Sequence, residues 1–119
     1  MRRGSARRGD ERAGAVFAAL ADGTRRRIAW LLSERGPLTA TELAAQLPIT
    51  RQAVAKHLDA LEEAGLVEWS RNGRESRYRL TPEPFEAAAL WMASVGAQWD
   101  RRLERLHELL GGREAQPRR

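Results

Sequence analysis

The sequence predicts a mainly α fold with one small β-hairpin, and three observations lead there. Apolar residues recur at steps of three and four through most of residues 13 to 110. Helix start and stop signals divide that run into five segments. Between the fourth and fifth lies LVEWSRNGRESRYRL, whose Asn72-Gly73 is the strongest short hairpin signal.

Ala13 to Ala21 reads as a small apolar helix built on Val16, Phe17 and Leu20 and ended by Asp22-Gly23. Thr24 to Arg35 follows, with Ile28, Leu31 and Leu32 inward and Arg25, Arg26 and Arg27 at its start; Gly36-Pro37 stops it. In TATE, residues 39 to 42, Thr39 and Glu42 are spaced to satisfy each other's backbone N–H as a capping box. Leu43, Ala44 and Leu47 give this third helix a buried side, and Pro48 closes it.

The fourth helix, TRQAVAKHLDALEEAGL, carries signals at both ends. Thr50 caps the free N–H groups of its first turn. Gly65 stands where a left-handed residue stops a helix, which places Leu66 against Leu61 in the contact of a Schellman motif. Val54, Leu58 and Leu61 share the inward stripe, whereas Arg51, Gln52, Ala55, Lys56 and Asp59 share an outward one. Long donors around a small Ala55, at the positive end of a helix, suit an anion that the backbone must approach closely. Charged helix stripes are also commonly plain solvated faces, so the neighbours decide.

Two short helices joined by so tight a turn make a helix-turn-helix, whose second helix enters the DNA major groove. The hairpin after it is then a wing. Folding about Asn72-Gly73 as a type I′ turn sets Arg71 opposite Arg74, Trp69 opposite Ser76, Glu68 opposite Arg77 and Val67 opposite Tyr78. Glu68 and Arg77 would pair across the strands, and the two facing arginines at the tip would be relieved by an anion.

The last helix, roughly Pro84 to Leu110, is too long for so small a domain to bury. Phe85, Ala88, Met92, Val95, Trp99, Leu103, Leu106 and Leu110 form a seam for another helix, with Gly96 permitting close approach. The expected partner is the same helix of a second subunit, together with the first helix through Val16, Phe17 and Leu20. A two-fold dimer would set two recognition helices about one duplex turn, ~34 Å, apart.

Composition bounds the function. A chain of 119 residues suits one domain with a modest core. No apolar run approaches a membrane span, and MRRGSARRGDER has no apolar segment after its arginines, so the expected setting is soluble and cytoplasmic. Zero cysteines exclude disulfides, thiolate metal sites and thiol catalysis. A net charge of +5 and a pI near 11.1 favour an anionic partner, and only one of the 21 basic residues is Lys. Arg makes bidentate contacts to phosphate and guanine that Lys cannot copy, although genomic base composition produces the same bias. Residues 1 to 12 hold five Arg and residues 111 to 119 hold three, both broken by Gly with Ser or Pro; they read as disordered tails flanking a domain from 13 to 110. With two distant histidines, no Gly-rich phosphate loop and no nucleophile motif, an enzyme is not expected.

VFAALADGTRRRIAWLL, LTATELAAQLPITRQAVAKHLDALEEAGLV and RNGRESRYRLTPEPFEAAALWM together resemble the winged helix-turn-helix repressors of the arsenic-repressor (ArsR/SmtB) type, over about residues 13 to 110. Gly23 stands where Pro is usual in the family's opening signature, and Ala55 where its recognition segment usually has Ser. The resemblance implies a homodimer that binds a palindromic operator and represses transcription until an effector lowers its affinity. The metal-sensing signatures of the family are broken here. Its E-L-C-x-C pair reads ELAAQ, and its D-x-H and H-x-x-[HE] pairs meet Arg102 after Asp100 and Leu110 after His107. Asp100, Glu104 and His107 share a stripe that reads as a solvated face.

The expectation is therefore a winged helix-turn-helix, mainly α with a small hairpin wing, that forms a homodimer through its terminal helices and regulates transcription on double-stranded DNA without a metal or other cofactor. Arg51, Gln52 and Lys56 are assigned to the groove and base edges, with Ala55 for close approach and His57 as a polar residue of the same helix. Thr50, Arg71, Asn72 and Arg74, with Arg77 as a lesser candidate, are assigned to phosphates or the minor groove. Val16, Phe17, Leu20, Met92, Val95, Trp99, Leu103 and Leu106 are assigned to the dimer. The alternative from another class is a winged-helix module for protein association without specific DNA binding.

Overall fold

A computed structural model describes the chain from residue 2 to residue 111, with side chains from residue 8 onward. The elements run α1 (Arg2–Ala19), α2 (Gly23–Arg35), β1 (Leu38–Thr39), α3 (Ala40–Ala44), α4 (Arg51–Glu63), β2 (Val67–Asn72), β3 (Glu75–Leu80) and α5 (Pro82–Leu109). Two units are distinguishable, one up to Ala88 and one from Ala89.

The first unit holds the core. Val16 from α1, Ile28, Leu31 and Leu32 from α2, Leu43 from α3, Val54, Leu58 and Leu61 from α4, and Leu66, Val67 and Ala88 close on one another, with Leu47, Tyr78, Leu80 and Phe85 packed at the edge. These are the inward stripes read from the sequence. Removing that apolar surface from water is what holds α2, α3 and α4 folded, since helices of 5 to 13 residues are marginal alone.

The caps form as their chemistry requires. Thr39 Oγ1 accepts from the Glu42 N–H at 3.0 Å while Glu42 Oε1 accepts from the Thr39 N–H at 2.9 Å, closing the capping box. Thr50 Oγ1 accepts from the Ala53 N–H at 3.1 Å. Gly65 adopts φ +79°; its N–H reaches the Glu62 carbonyl at 2.9 Å, and the Leu66 N–H reaches that of Leu61 at 2.9 Å, the two bonds of a Schellman stop.

Three expectations need correction. The N-terminal stretch expected as a disordered tail is helical: α1 starts at Arg2 rather than near Ala13. Arg and Ala are good helix formers, so a helix anchored by packing at Ala13 and Val16 propagates backward through them, and Gly9 only weakens it. The other expected tail lies, after Gly111, outside the described residues.

The hairpin register is also different. Val67 faces Leu80, Glu68 faces Arg79, Trp69 faces Tyr78, Arg71 faces Ser76 and Asn72 faces Glu75. The turn is therefore Gly73-Arg74, with positive φ at Gly73 alone, the requirement of a type II′ rather than a type I′ turn. This register matches Val67 with Leu80 and Trp69 with Tyr78, whereas the expected one would have set Trp69 against Ser76. A slip of two residues leaves every side chain on the face expected for it. Arg71 and Arg74 do not face each other, and Glu68 pairs with Arg79 at 2.8 Å instead of with Arg77.

The third correction is an added strand. Leu38 and Thr39 pair antiparallel with Tyr78 and Arg77, giving a sheet of order β1-β3-β2 with β3 in the middle. The wing is thus stitched to the start of α3.

The second unit is the rest of α5, whose Pro82 suits a first helical turn. Met92, Val95, Trp99, Leu103 and Leu106 recur along it and are all exposed. No helix among the described residues is long and apolar enough to cross a membrane.

Candidate nucleic-acid interface

α4 presents its face because α3 and the core fix its back. Val54, Leu58 and Leu61 are fully buried, which leaves Arg51, Gln52, Lys56 and Asp59 exposed and Ala55 half-buried between them. Among the described residues the side chains of Gln52 and Lys56 make no hydrogen bond or ion pair, and both are exposed to solvent. The charge order opposes the helix dipole: Arg51 opens the helix with no acid in its first turn, while Glu62 and Glu63 close it with no base. Such an order is unfavourable in isolation and becomes favourable when an anion lies over the N-terminal half.

The wing brings a second set of cations to the same place. Arg51, Ala55 and Arg74, with Thr41, Ser76, Tyr78 and the carboxylates of Glu42 and Glu75, line one cleft of about 410 Å³ bounded by α3, α4 and the hairpin. Arg51 is 23 positions before Arg74 in the chain, and only the fold joins them. Arg51 Nε donates to Thr41 Oγ1 at 3.1 Å, which holds its guanidinium against the start of α3. Arg71, Asn72 and Arg74 are exposed at the hairpin tip. Trp69, on β2, donates its indole N–H to Glu62 Oε2 at 3.1 Å and ties the wing to the acidic end of α4. Burial, with the negative charge of Asp59 and Glu62, raises the pKa of Tyr78, so its hydroxyl stays protonated as a hydrogen-bond donor.

Three residues assigned to DNA by sequence already have partners inside the protein. His57 is half-buried, and its Nδ1 accepts from Arg25 Nε at 3.4 Å, so it joins α4 to α2. Arg77 lies within ion-pair distance of Glu42 and Glu75. Thr50 serves as the cap of α4. The three arginines that open α2 are not all free cations either: Arg25 donates to the Ala19 carbonyl at 3.2 Å, and Arg26 to those of Leu20 and Ala21 at 2.7 and 3.2 Å, capping the end of α1. Asp22 caps the start of α2, and the Arg25 N–H bonded to its carboxylate, with His57 nearby, holds its pKa below the ordinary value.

On the dimer side, Val16 is 2% exposed and belongs to the protomer's own core, so it is not a surface for a second subunit. Leu20 packs half-buried at the edge of that core, while Phe17 is 39% exposed. Sequence reasoning missed Thr41, Ser76 and Tyr78 in the cleft. The outward position of Thr41 beside the capping Glu42 was the available signal; for the other two there was none without the sheet register. Among the described residues no group of three His, Asp or Glu side chains is arranged to hold a metal ion.

Known proteins share this fold. Residues 20–68 match the family described as a helix-turn-helix domain. The chain is 47% identical over 78 residues to the uncharacterized HTH-type transcriptional regulator YuzN of Bacillus subtilis, covering 60% of this chain and 85% of that one. An ArsR-like transcriptional regulator from Rhodococcus sp. RHA1 superposes with a TM-score of 0.69 at 44% identity, over 83% of this chain and 92% of the other. A homodimeric winged helix-turn-helix DNA-binding domain from Mycobacterium bovis, a possible ArsR-family regulator, superposes with a TM-score of 0.59 at 27% identity, over 80% and 85% of the two chains.

Proposed function

The chain belongs to the ArsR family of winged helix-turn-helix, DNA-binding transcriptional regulators, and from that premise we propose that it is a dimeric repressor of a palindromic operator. The observation that supports this most is the convergence of Arg51, Ala55 and Arg74 on one cleft beside the exposed Gln52 and Lys56. In this reading Gln52 and Lys56 reach base edges in the major groove, and Ala55 lets the helix backbone come close. Arg51, held by Thr41, meets the phosphate backbone at the groove wall. Arg71, Asn72 and Arg74 hold phosphates or the minor groove at the wing tip. Thr50 and His57 act indirectly, one as the cap and the other as a strut to Arg25.

The subunits join through Met92, Val95, Trp99, Leu103 and Leu106 of α5, whose exposed apolar side chains recur at the steps of a two-helix seam. Phe17 is retained as a contact from α1. Two-fold symmetry in the protein is mirrored by a palindrome in the DNA. The setting is the cytoplasm, where the DNA is.

Mapping the DNA that the protein protects upstream of its own gene tests the operator. On that site Gln52→Ala is expected to cost about 1–3 kcal/mol per half-site and to change binding to random DNA little, because a bidentate base contact contributes only where its base is present. Equal loss on both DNAs would refute sequence reading by α4.

A further inference from the structure

Arg77 carries an inference that rests on this DNA-facing reading and deepens it. It sits on the central strand of the sheet, between Thr39 of β1 and Ser70 of β2. Its Nη1 lies 3.3 Å from Glu42 Oε1 and its Nη2 3.1 Å from Glu75 Oε1, and the side chain is only 30% exposed. The Glu42 oxygen it meets is the one that accepts the Thr39 N–H in the capping box. One guanidinium therefore bridges the start of α3 to the base of the hairpin turn, and two carboxylates more than neutralise it. A phosphate would gain little from such a cation.

The bridge leads in both directions to the cations of the cleft. Glu75 directly follows Arg74 at the wing tip. Glu42 directly follows Thr41, whose hydroxyl holds Arg51. We infer that Arg77 is a positioning residue that touches no DNA and instead sets the distance between Arg51 on the recognition helix and Arg74 on the wing, so that both meet the same duplex. A planar two-pronged guanidinium can bridge carboxylates from two elements; a Lys ammonium, a single point charge, cannot reproduce that geometry. The Thr39 N–H and the nearby Arg77 charge hold the Glu42 carboxyl below its ordinary pKa, so the bridge stays ionised at neutral pH.

The test titrates a fluorescent mixed-sequence duplex with wild type, Arg77→Gln, Arg77→Lys, Arg74→Ala and Arg77→Gln/Arg74→Ala, each checked for folding by thermal melting. Arg77→Gln should weaken binding several-fold, and the double variant should be weaker than Arg74→Ala by much less than that factor. Placement of a wing cation no longer matters once the cation is gone. Arg77→Lys should bind as poorly as Arg77→Gln, and it carries the test if the latter does not fold. In the free protein, amide exchange should show lost protection where Thr39 pairs with Arg77 and retained protection where Val67 pairs with Leu80. Full additivity of the two changes, or wild-type affinity in Arg77→Lys, would overturn the inference by making Arg77 a phosphate contact in its own right. If Arg74→Ala alone has no effect, the DNA-facing wing itself fails and takes the inference with it.

Discussion

The prediction with the most defined magnitude concerns Arg74. It stands in the two-residue turn of the wing, exposed, and among the described residues no carboxylate lies within ion-pair distance of it. Its full charge is therefore available to a phosphate. One contact per protomer makes two per dimer, and each phosphate contact contributes about 0.9 to the slope of log affinity against log salt, so Arg74→Ala should flatten that slope by about 1.8. Between about 50 and 200 mM salt this narrows the affinity gap between wild type and variant by roughly 12-fold. The assay is fluorescence anisotropy of a labelled duplex at several salt concentrations. Arg79 supplies the control, because its side chain is 64% exposed on the wing yet already paired with Glu68 at 2.8 Å. Arg79→Gln should leave the slope nearly unchanged. If both variants flatten it equally, binding responds to net charge alone, and the argument from the geometry of the wing is refuted.

Three further outcomes are expected. Leu103→Glu should produce monomers in sedimentation and weaken operator binding together, since half-sites could no longer be engaged at once; a variant that stays dimeric would remove α5 from the interface. Leu58→Ala, at a fully buried core position of α4, should lower stability to urea by about 2–5 kcal/mol, and a loss below about 1 kcal/mol would mean that α4 is not held by this core. Glu42 and Asp22 both have folded pKa values below their ordinary ones, so their caps contribute above the unfolded carboxylate range and lose that contribution as pH falls through the lowered folded values. Thermal melts should accordingly show a destabilisation confined to acid pH that is smaller in Glu42→Gln, which keeps a capping-box residue without the titration; an equal acid loss in both proteins would show that Glu42 is not its source.

The local elements were legible in the residues because their causes are local. A Thr and a Glu three apart close a capping box, Gly65 accepts positive φ, and a 3.6-residue period sorts Val54, Leu58 and Leu61 from Arg51, Gln52 and Lys56 whatever the rest of the chain does. The helix-turn-helix, the hairpin and the apolar seam of α5 followed from those signals, and so did the family. Other features depend on which surfaces meet. The hairpin register was decided by Trp69 facing Tyr78 and Val67 facing Leu80, a choice between strands that the Asn-Gly signal cannot make. The pairing of β1 with β3 joins residues 38 and 39 to residues 77 and 78, and nothing in a two-residue strand announces its partner. The fate of each cation was likewise tertiary: Arg74 and Arg77 are three positions apart and alike in sequence, but β3 brings one between Glu42 and Glu75 and the turn leaves the other in solvent. Charge is written in the sequence, whereas its availability depends on distance to the opposite charge, and only the folded chain sets that distance.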